Sequence, residues 1–161
     1  MPIVIRNYQT TDAASVVDIF RASVRGVPAR DYNQSQVQAW APDVIDEDRF
    51  GQRCESKSTW VAVMQDRIAG FSDLESDGHV DMLYVHPDFQ RRGSARALLQ
   101  HIEDAARALD LRRLYTEASI TARSAFEGVG FRVILPQTVT VRGESMTNYR
   151  MEKRLDDSPK P

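Results

Sequence analysis

Residues 83–96, Leu-Tyr-Val-His-Pro-Asp-Phe-Gln-Arg-Arg-Gly-Ser-Ala-Arg, constrain the fold of this chain more than any other stretch. An apolar, strand-like run ends at Pro87, which has no N–H to give to a neighbouring strand. A short basic loop containing Gly93 follows. Directly after it, Ala95, Leu98, Leu99, Ile102, Ala106 and Leu109 recur at spacings of three and four, the pattern of an amphipathic helix. A helix that starts so abruptly leaves its first backbone N–H groups free, and Arg91, Arg92 and Arg96 gather full charges around them. Such a corner suits a phosphate-bearing ligand.

The remaining segments read as a mixed α+β domain. Residues 3–8 alternate like a strand, and Thr10, Thr11 and Asp12 offer N-caps for a helix carrying Ala13, Val16, Val17, Phe20 and Val24 on one face and stopping near Gly26. Short helices are predicted at 32–40, ended by Pro42, and at 47–55. Residues 60–64 and 68–74 flank Gln65-Asp66-Arg67 as an antiparallel hairpin, and Ser76-Asp77-Gly78 turns the chain into a strand at 79–86. A strand at 113–118, a short helix at 121–128 closed by Gly130, and strands at 131–141 and 145–153 around Arg142-Gly143-Glu144 complete the chain. The polar residues 156–161 are expected to be a disordered tail, with residues 1–155 forming one domain.

Composition excludes several classes. No apolar run approaches the ~18 residues of a membrane span, and the first residues read as a strand rather than as a secretory leader. A single cysteine, Cys54, excludes an internal disulfide, reads as an inert buried thiol, and makes the cytoplasm the expected compartment. A net charge of −2 disfavours a nucleic-acid binder. There is no GxxxxGK[ST], no GxGxxG after the first strand and no GxSxG. His79, His86 and His101 stand without the cysteines or HExxH spacing of a metal site, so no metal is expected.

Two blocks carry a family resemblance. Gln90-Arg91-Arg92-Gly93-Ser94-Ala95 matches the Q/R-x-x-G-x-G/A loop of the GNAT-superfamily N-acetyltransferases, preceded by their V-x-P strand end at Val85-His86-Pro87. Downstream, Ala122-Arg123-Ser124-Ala125-Phe126-Glu127-Gly128-Val129-Gly130-Phe131 is similar to the family's A…Y-E-x-x-G-F block. With both blocks in register from strand 3–8 to strand 145–153, the chain resembles a GNAT acetyltransferase. The resemblance implies a mixed, mostly antiparallel central sheet of about seven strands with helices on both faces. It also implies acetyl-CoA as acetyl donor and an amine of a small molecule, protein or peptide as acceptor. Gln90, Arg91, Arg92, Gly93, Ser94, Ala95 and Arg96 would hold the pyrophosphate, with Leu83, Tyr84 and Val85 along the pantetheine and Ser119 and Phe126 across the cleft. A backbone N–H near Val85 would polarise the thioester carbonyl.

Direct attack by an amine requires a base. Strand alternation places His79, Asp81, Leu83 and Val85 on one face of 79–86 and Val80, Met82, Tyr84 and His86 on the other. Asp81 and His79 are the candidate bases, with Glu75 a third. The family protonates the departing thiolate with a tyrosine of the second block. Phe126 stands there, which leaves Ser119, Tyr84 or water as substitutes, or a thiolate that departs without an acid. Tyr32, Gln36, Trp40 and Tyr149 are candidate acceptor-binding residues. A non-catalytic acyl-CoA-binding sensor is the alternative class, and a homodimer stays open.

Overall fold

A computed structural model describes residues 2–155; the tail expected at 156–161 lies outside them. The chain runs β1 (Val4–Asn7), a 3-10 turn (Thr10–Asp12), α1 (Ala13–Arg25), α2 (Gln34–Trp40), α3 (Glu47–Glu55), β2 (Ser58–Met64) and β3 (Arg67–Leu74). It continues with β4 (His79–Val80), β5 (Leu83–Val85), a second 3-10 turn (Pro87–Phe89) and α4 (Ser94–Ala108). β6 (Arg113–Ser119), α5 (Arg123–Gly128), β7 (Arg132–Val141) and β8 (Glu144–Arg154) close it. The strands form two four-stranded sheets, ordered β1-β2-β3-β5 and β4-β6-β8-β7. All neighbours are antiparallel except β4 and β6.

Local chemistry explains the boundaries. Asn33 and Gln36 cap α2 reciprocally: the Asn33 side chain accepts the Gln36 N–H at 2.9 Å and the Gln36 side chain accepts the Asn33 N–H at 2.8 Å. Asp46 accepts the Arg49 N–H at 3.1 Å and starts α3. At the β2–β3 turn, Gln65 and Asp66 adopt φ of 55° and 59°, the paired positive values of a two-residue hairpin whose twist matches its strands. Alternation along β2 divides the core. Trp60 and Ala62 pack with Leu98, Leu99 and Ile102 of α4, whereas Val61 packs with Val16, Phe20 and Phe50 of α1 and α3.

The strand expected at 79–86 is broken, and eight strands result where seven were expected. Val80 joins the α4-side cluster while Met82 joins the α1-side cluster, so two residues that would share a face in a regular strand lie on opposite faces. The predicted face His79, Asp81, Leu83, Val85 therefore does not exist as one row. Asp81 reaches Arg53 and Lys57 on the α3 side, whereas Leu83 packs on the α4 side. The cause is Asp73, which is fully buried. Its carboxylate accepts the N–H of Asp81 at 2.8 Å and of Met82 at 3.1 Å, and Ser72 Oγ donates to the Met82 carbonyl at 2.5 Å. Side chains thus satisfy the backbone groups that a neighbouring strand would otherwise take.

Burial pushes the Asp73 carboxyl up to about 6, against the pull of Lys57 at 3.6 Å and the two amide donors. Replacing Asp73 with Asn would set an amide NH2 against one of those N–H groups. Asp73→Asn is expected to lower stability by about 1–3 kcal/mol in urea unfolding.

Candidate active site

β5 is an edge strand that pairs only with β3, while β6 belongs to the other sheet. The gap between them is a cleft of about 880 Å³, lined by 83–85 and the start of α4 on one side and by 119–122 and α5 on the other. His86 N–H donates to the Ala69 carbonyl at 2.8 Å, which makes that pair a hydrogen-bonded one. Antiparallel ladders alternate, so Phe71–Tyr84 is the next bonded pair and the N–H and C=O of Val85, opposite Gly70, face away from β3. The Val85 amide is aimed into the cleft.

The loop at the cleft's end is built to receive an anion. His86 Nδ1 accepts the Asp88 N–H at 3.1 Å, and buried Phe89 anchors the turn. Arg91 has φ +62° and Gly93 has φ +93°. A Cβ on Gly93 would meet only Ile3 at 3.6 Å, so the glycine is required by backbone conformation rather than by crowding. The first backbone bond closing α4 runs from Ala97 N–H to the Gly93 carbonyl, leaving the N–H groups of Ser94, Ala95 and Arg96 ahead of it without intrahelical acceptors. Ser94 Oγ is buried and has no hydrogen-bond partner. Free amides, an orphaned hydroxyl and Arg91 and Arg96 in the lining fit a phosphate group. Arg92 is not among the residues lining the cleft; its guanidinium lies 5.9 Å from the Phe89 ring centre.

A second, smaller pocket of about 130 Å³ adjoins the cleft. Trp40, Tyr84 and Ser119 line both cavities and form their junction. The Trp40 indole N–H donates to Tyr84 Oη at 3.3 Å, and burial pushes the Tyr84 phenol up to about 12. Among the described residues no acceptor takes the Tyr84 proton. Phe126 is buried against Phe131 and lines neither cavity, so it is a core residue rather than a ligand contact.

The charged residue of the small pocket is Glu117, which inspection of strand 79–86 alone did not find. The signal was the parallel pairing of β4 with β6: with His79 opposite Tyr115, Glu117 follows two residues on along the same face of β6. His79 bridges two carboxylates, with Nδ1 2.6 Å from Glu75 and Nε2 2.7 Å from Glu117, and stacks on Tyr115. Burial pulls its basicity down, but the hydrogen bonds to Glu117 and Glu75 outweigh burial and raise its pKa.

Asp81 is placed differently. Lys57 Nζ at 2.6 Å and Arg53 Nη2 at 2.7 Å hold its carboxylate. Burial works against the charge, but these two hydrogen bonds prevail and lower its pKa. It lines neither cavity, and its carboxylate is engaged by these two cations. Tyr32 lines the small pocket, but its hydroxyl is committed, donating to Thr147 O at 2.6 Å and accepting from Ile120 N–H at 2.9 Å. Gln36 donates to Ser145 O at 2.9 Å and lines neither cavity. Tyr149 faces the α5 side under the Arg123 guanidinium at 4.8 Å, while its neighbour Asn148 lines the pocket. Cys54 is buried, and burial pushes its thiol up to about 11.

Residues 28–153 match the family model described as the acetyltransferase (GNAT) domain. The Escherichia coli (strain K12) protein described as the uncharacterized N-acetyltransferase YafP is 37% identical over 150 residues, 92% of this chain and 94% of that protein. A solved GCN5-related N-acetyltransferase from Rhodopseudomonas palustris superposes with a TM-score of 0.91 at 35% identity, covering 96% of this chain and 97% of that one. The yncA acetyltransferase of Salmonella typhimurium shares the fold with a TM-score of 0.73 at 20% identity, covering 100% of this chain and 98% of that one. The chain belongs to the GNAT family and is an N-acetyltransferase.

The raised pKa of His79 sets a pH dependence. Stability from its protonated form is fully present below the unfolded-state pKa and is lost as pH rises through the higher folded-state value. NMR titration of the imidazole is expected to show a midpoint above the ordinary histidine value. Glu117→Gln is expected to move that midpoint down.

Proposed function

We propose that this enzyme transfers an acetyl group from acetyl-CoA directly to an amine held in the small pocket. The observation that carries the reading is the convergence on one cleft of the outward Val85 amide, the open amide cradle at 93–96 and, beyond the junction, Glu117. The Salmonella relative is described with acetyl-CoA as its cofactor, which supports the same donor here.

When bound, acetyl-CoA supplies an acetyl group activated as a thioester. The N–H groups of Ser94, Ala95 and Arg96, with Ser94 Oγ and the charges of Arg91 and Arg96, hold its pyrophosphate. The open edge of β5 offers the Leu83 and Val85 backbone to the pantetheine, and the Val85 N–H serves as a fixed donor toward the carbonyl oxygen. On the other side the Glu117 carboxylate, held in place by His79 and through it by Glu75, takes the proton an ammonium must lose before it attacks. Tyr84 Oη, kept protonated at neutral pH and placed at the junction, is the donor that replaces the missing tyrosine of the second block. A purely binding role leaves the Glu75–His79–Glu117 array without a task.

Acetyl-CoA at 100 times its Kd is expected to stabilise the protein by about 2.7 kcal/mol in thermal unfolding; no shift at saturation contradicts the reading. Glu117→Gln is expected to lower kcat by about 100-fold with acetyl-CoA affinity retained. Gly93→Val is expected to weaken acetyl-CoA binding by about tenfold through the strained cradle.

A further inference from the structure

The small pocket carries information about the acceptor that the family does not. Three side-chain hydrogen bonds tie the α2 region to the β7–β8 hairpin across one end of it. Tyr32 Oη donates to Thr147 O at 2.6 Å, Gln36 Nε2 to Ser145 O at 2.9 Å, and Arg142 Nη1 to Ala39 O at 2.7 Å. They fix the position of α2 beside the hairpin, and the space between is small. Its volume of about 130 Å³ lies well below the ~300–1,000 Å³ of sites for drug-sized ligands.

The walls are selective as well. Trp40, Val139, Val141 and Met146 make them largely apolar, and Glu117 is the charged residue among them. No lysine or arginine lines the pocket; Arg150, opposite Glu117 in the β6–β8 register, is exposed and outside the lining. Asn148 is a lining residue as well. Among the described residues the lining therefore carries one acidic group, Glu117, and no cation.

We infer that the acceptor is a small free primary amine with a compact apolar or aromatic body and no carboxylate, binding as its ammonium, and not an amino acid, peptide or protein. This rests on the acetyl-transfer reading above. In the reaction the amine nitrogen bonds to the acetyl carbonyl carbon and the carbon–sulfur bond breaks. The Glu117 carboxylate takes the proton leaving nitrogen, and the sulfur leaves with its electron pair and takes a proton from Tyr84 or solvent. An amino acid with the same body brings its carboxylate close to Glu117, with no cation in the lining to meet it. A peptide brings more bulk than a space of about 130 Å³ takes.

The test compares phenethylamine, phenylalanine and a lysine-containing hexapeptide with a free N-terminus as acceptors for the full chain, following thiol release from acetyl-CoA. Phenethylamine is expected to exceed both others in kcat/KM by at least about tenfold, a difference of about 1.4 kcal/mol in transition-state binding. Equal or better turnover of phenylalanine or of the peptide overturns the inference. So does acetyl-CoA binding without turnover of phenethylamine. Failure of acetyl-CoA to stabilise the protein overturns the donor reading itself, which separates the two failures. Thr147→Lys, at an exposed rim position, supplies the missing cation and is expected to narrow the phenethylamine-to-phenylalanine ratio by about tenfold. An unchanged ratio in a folded variant contradicts the charge argument.

Discussion

One buried carboxylate, Asp73, holds two consecutive amides of the next strand, and the site is arranged around the break this creates. A continuous strand over 79–86 would pair along its whole length and keep the two sheets joined. With the Asp81 and Met82 N–H groups held from the side by Asp73, and the Met82 carbonyl by Ser72, the chain pairs with β6 before the break and with β3 after it. β5 is thereby left as an edge facing a gap. The edge is short, three residues, and is followed at once by Pro87, which limits pairing with other chains while leaving the Val85 amide free for a ligand.

The same break sorts the charges. Asp81, at the break, turns toward α3 and becomes the partner of Arg53 and Lys57, while Lys57 also lies beside Asp73. The acidic residue that lines the small pocket, Glu117, comes instead from β6. His79, before the break, still runs parallel to β6 and lies between Glu75 and Glu117. Asp81 and His79, neighbours in the strand pattern, thus end up in separate charge clusters.

Much of the fold was legible because it rests on local signals: helical spacing in α1 and α4, the turn residues of the hairpins, and the loop at 90–96. The strand end, loop and helix start proposed to hold the donor were legible for the same reason, since they form one continuous segment. The break at Asp81 was not, because it arises from a buried side chain on the preceding strand, which no period-2 count detects. Gln36 and Tyr32 share a helical neighbourhood with Trp40, yet their polar atoms bind backbone carbonyls more than a hundred residues away and tie α2 to the hairpin. Glu117 and Asn148 belong to strands that meet the pocket only through sheet register, and Phe126 replaces a polar group with a core ring. These placements follow from long-range pairing rather than from spacing along the chain.

If the break opens the β5 edge for one donor ligand, the Val85 amide and the cradle amides meet it together. An amide-resolved NMR titration with acetyl-CoA tests it most directly. The account predicts that the largest shifts fall on Val85, Ser94, Ala95 and Arg96, with the hydrogen-bonded Tyr84 and His86 amides moving less. Saturable binding that leaves the Val85 and 94–96 amides unmoved would contradict it.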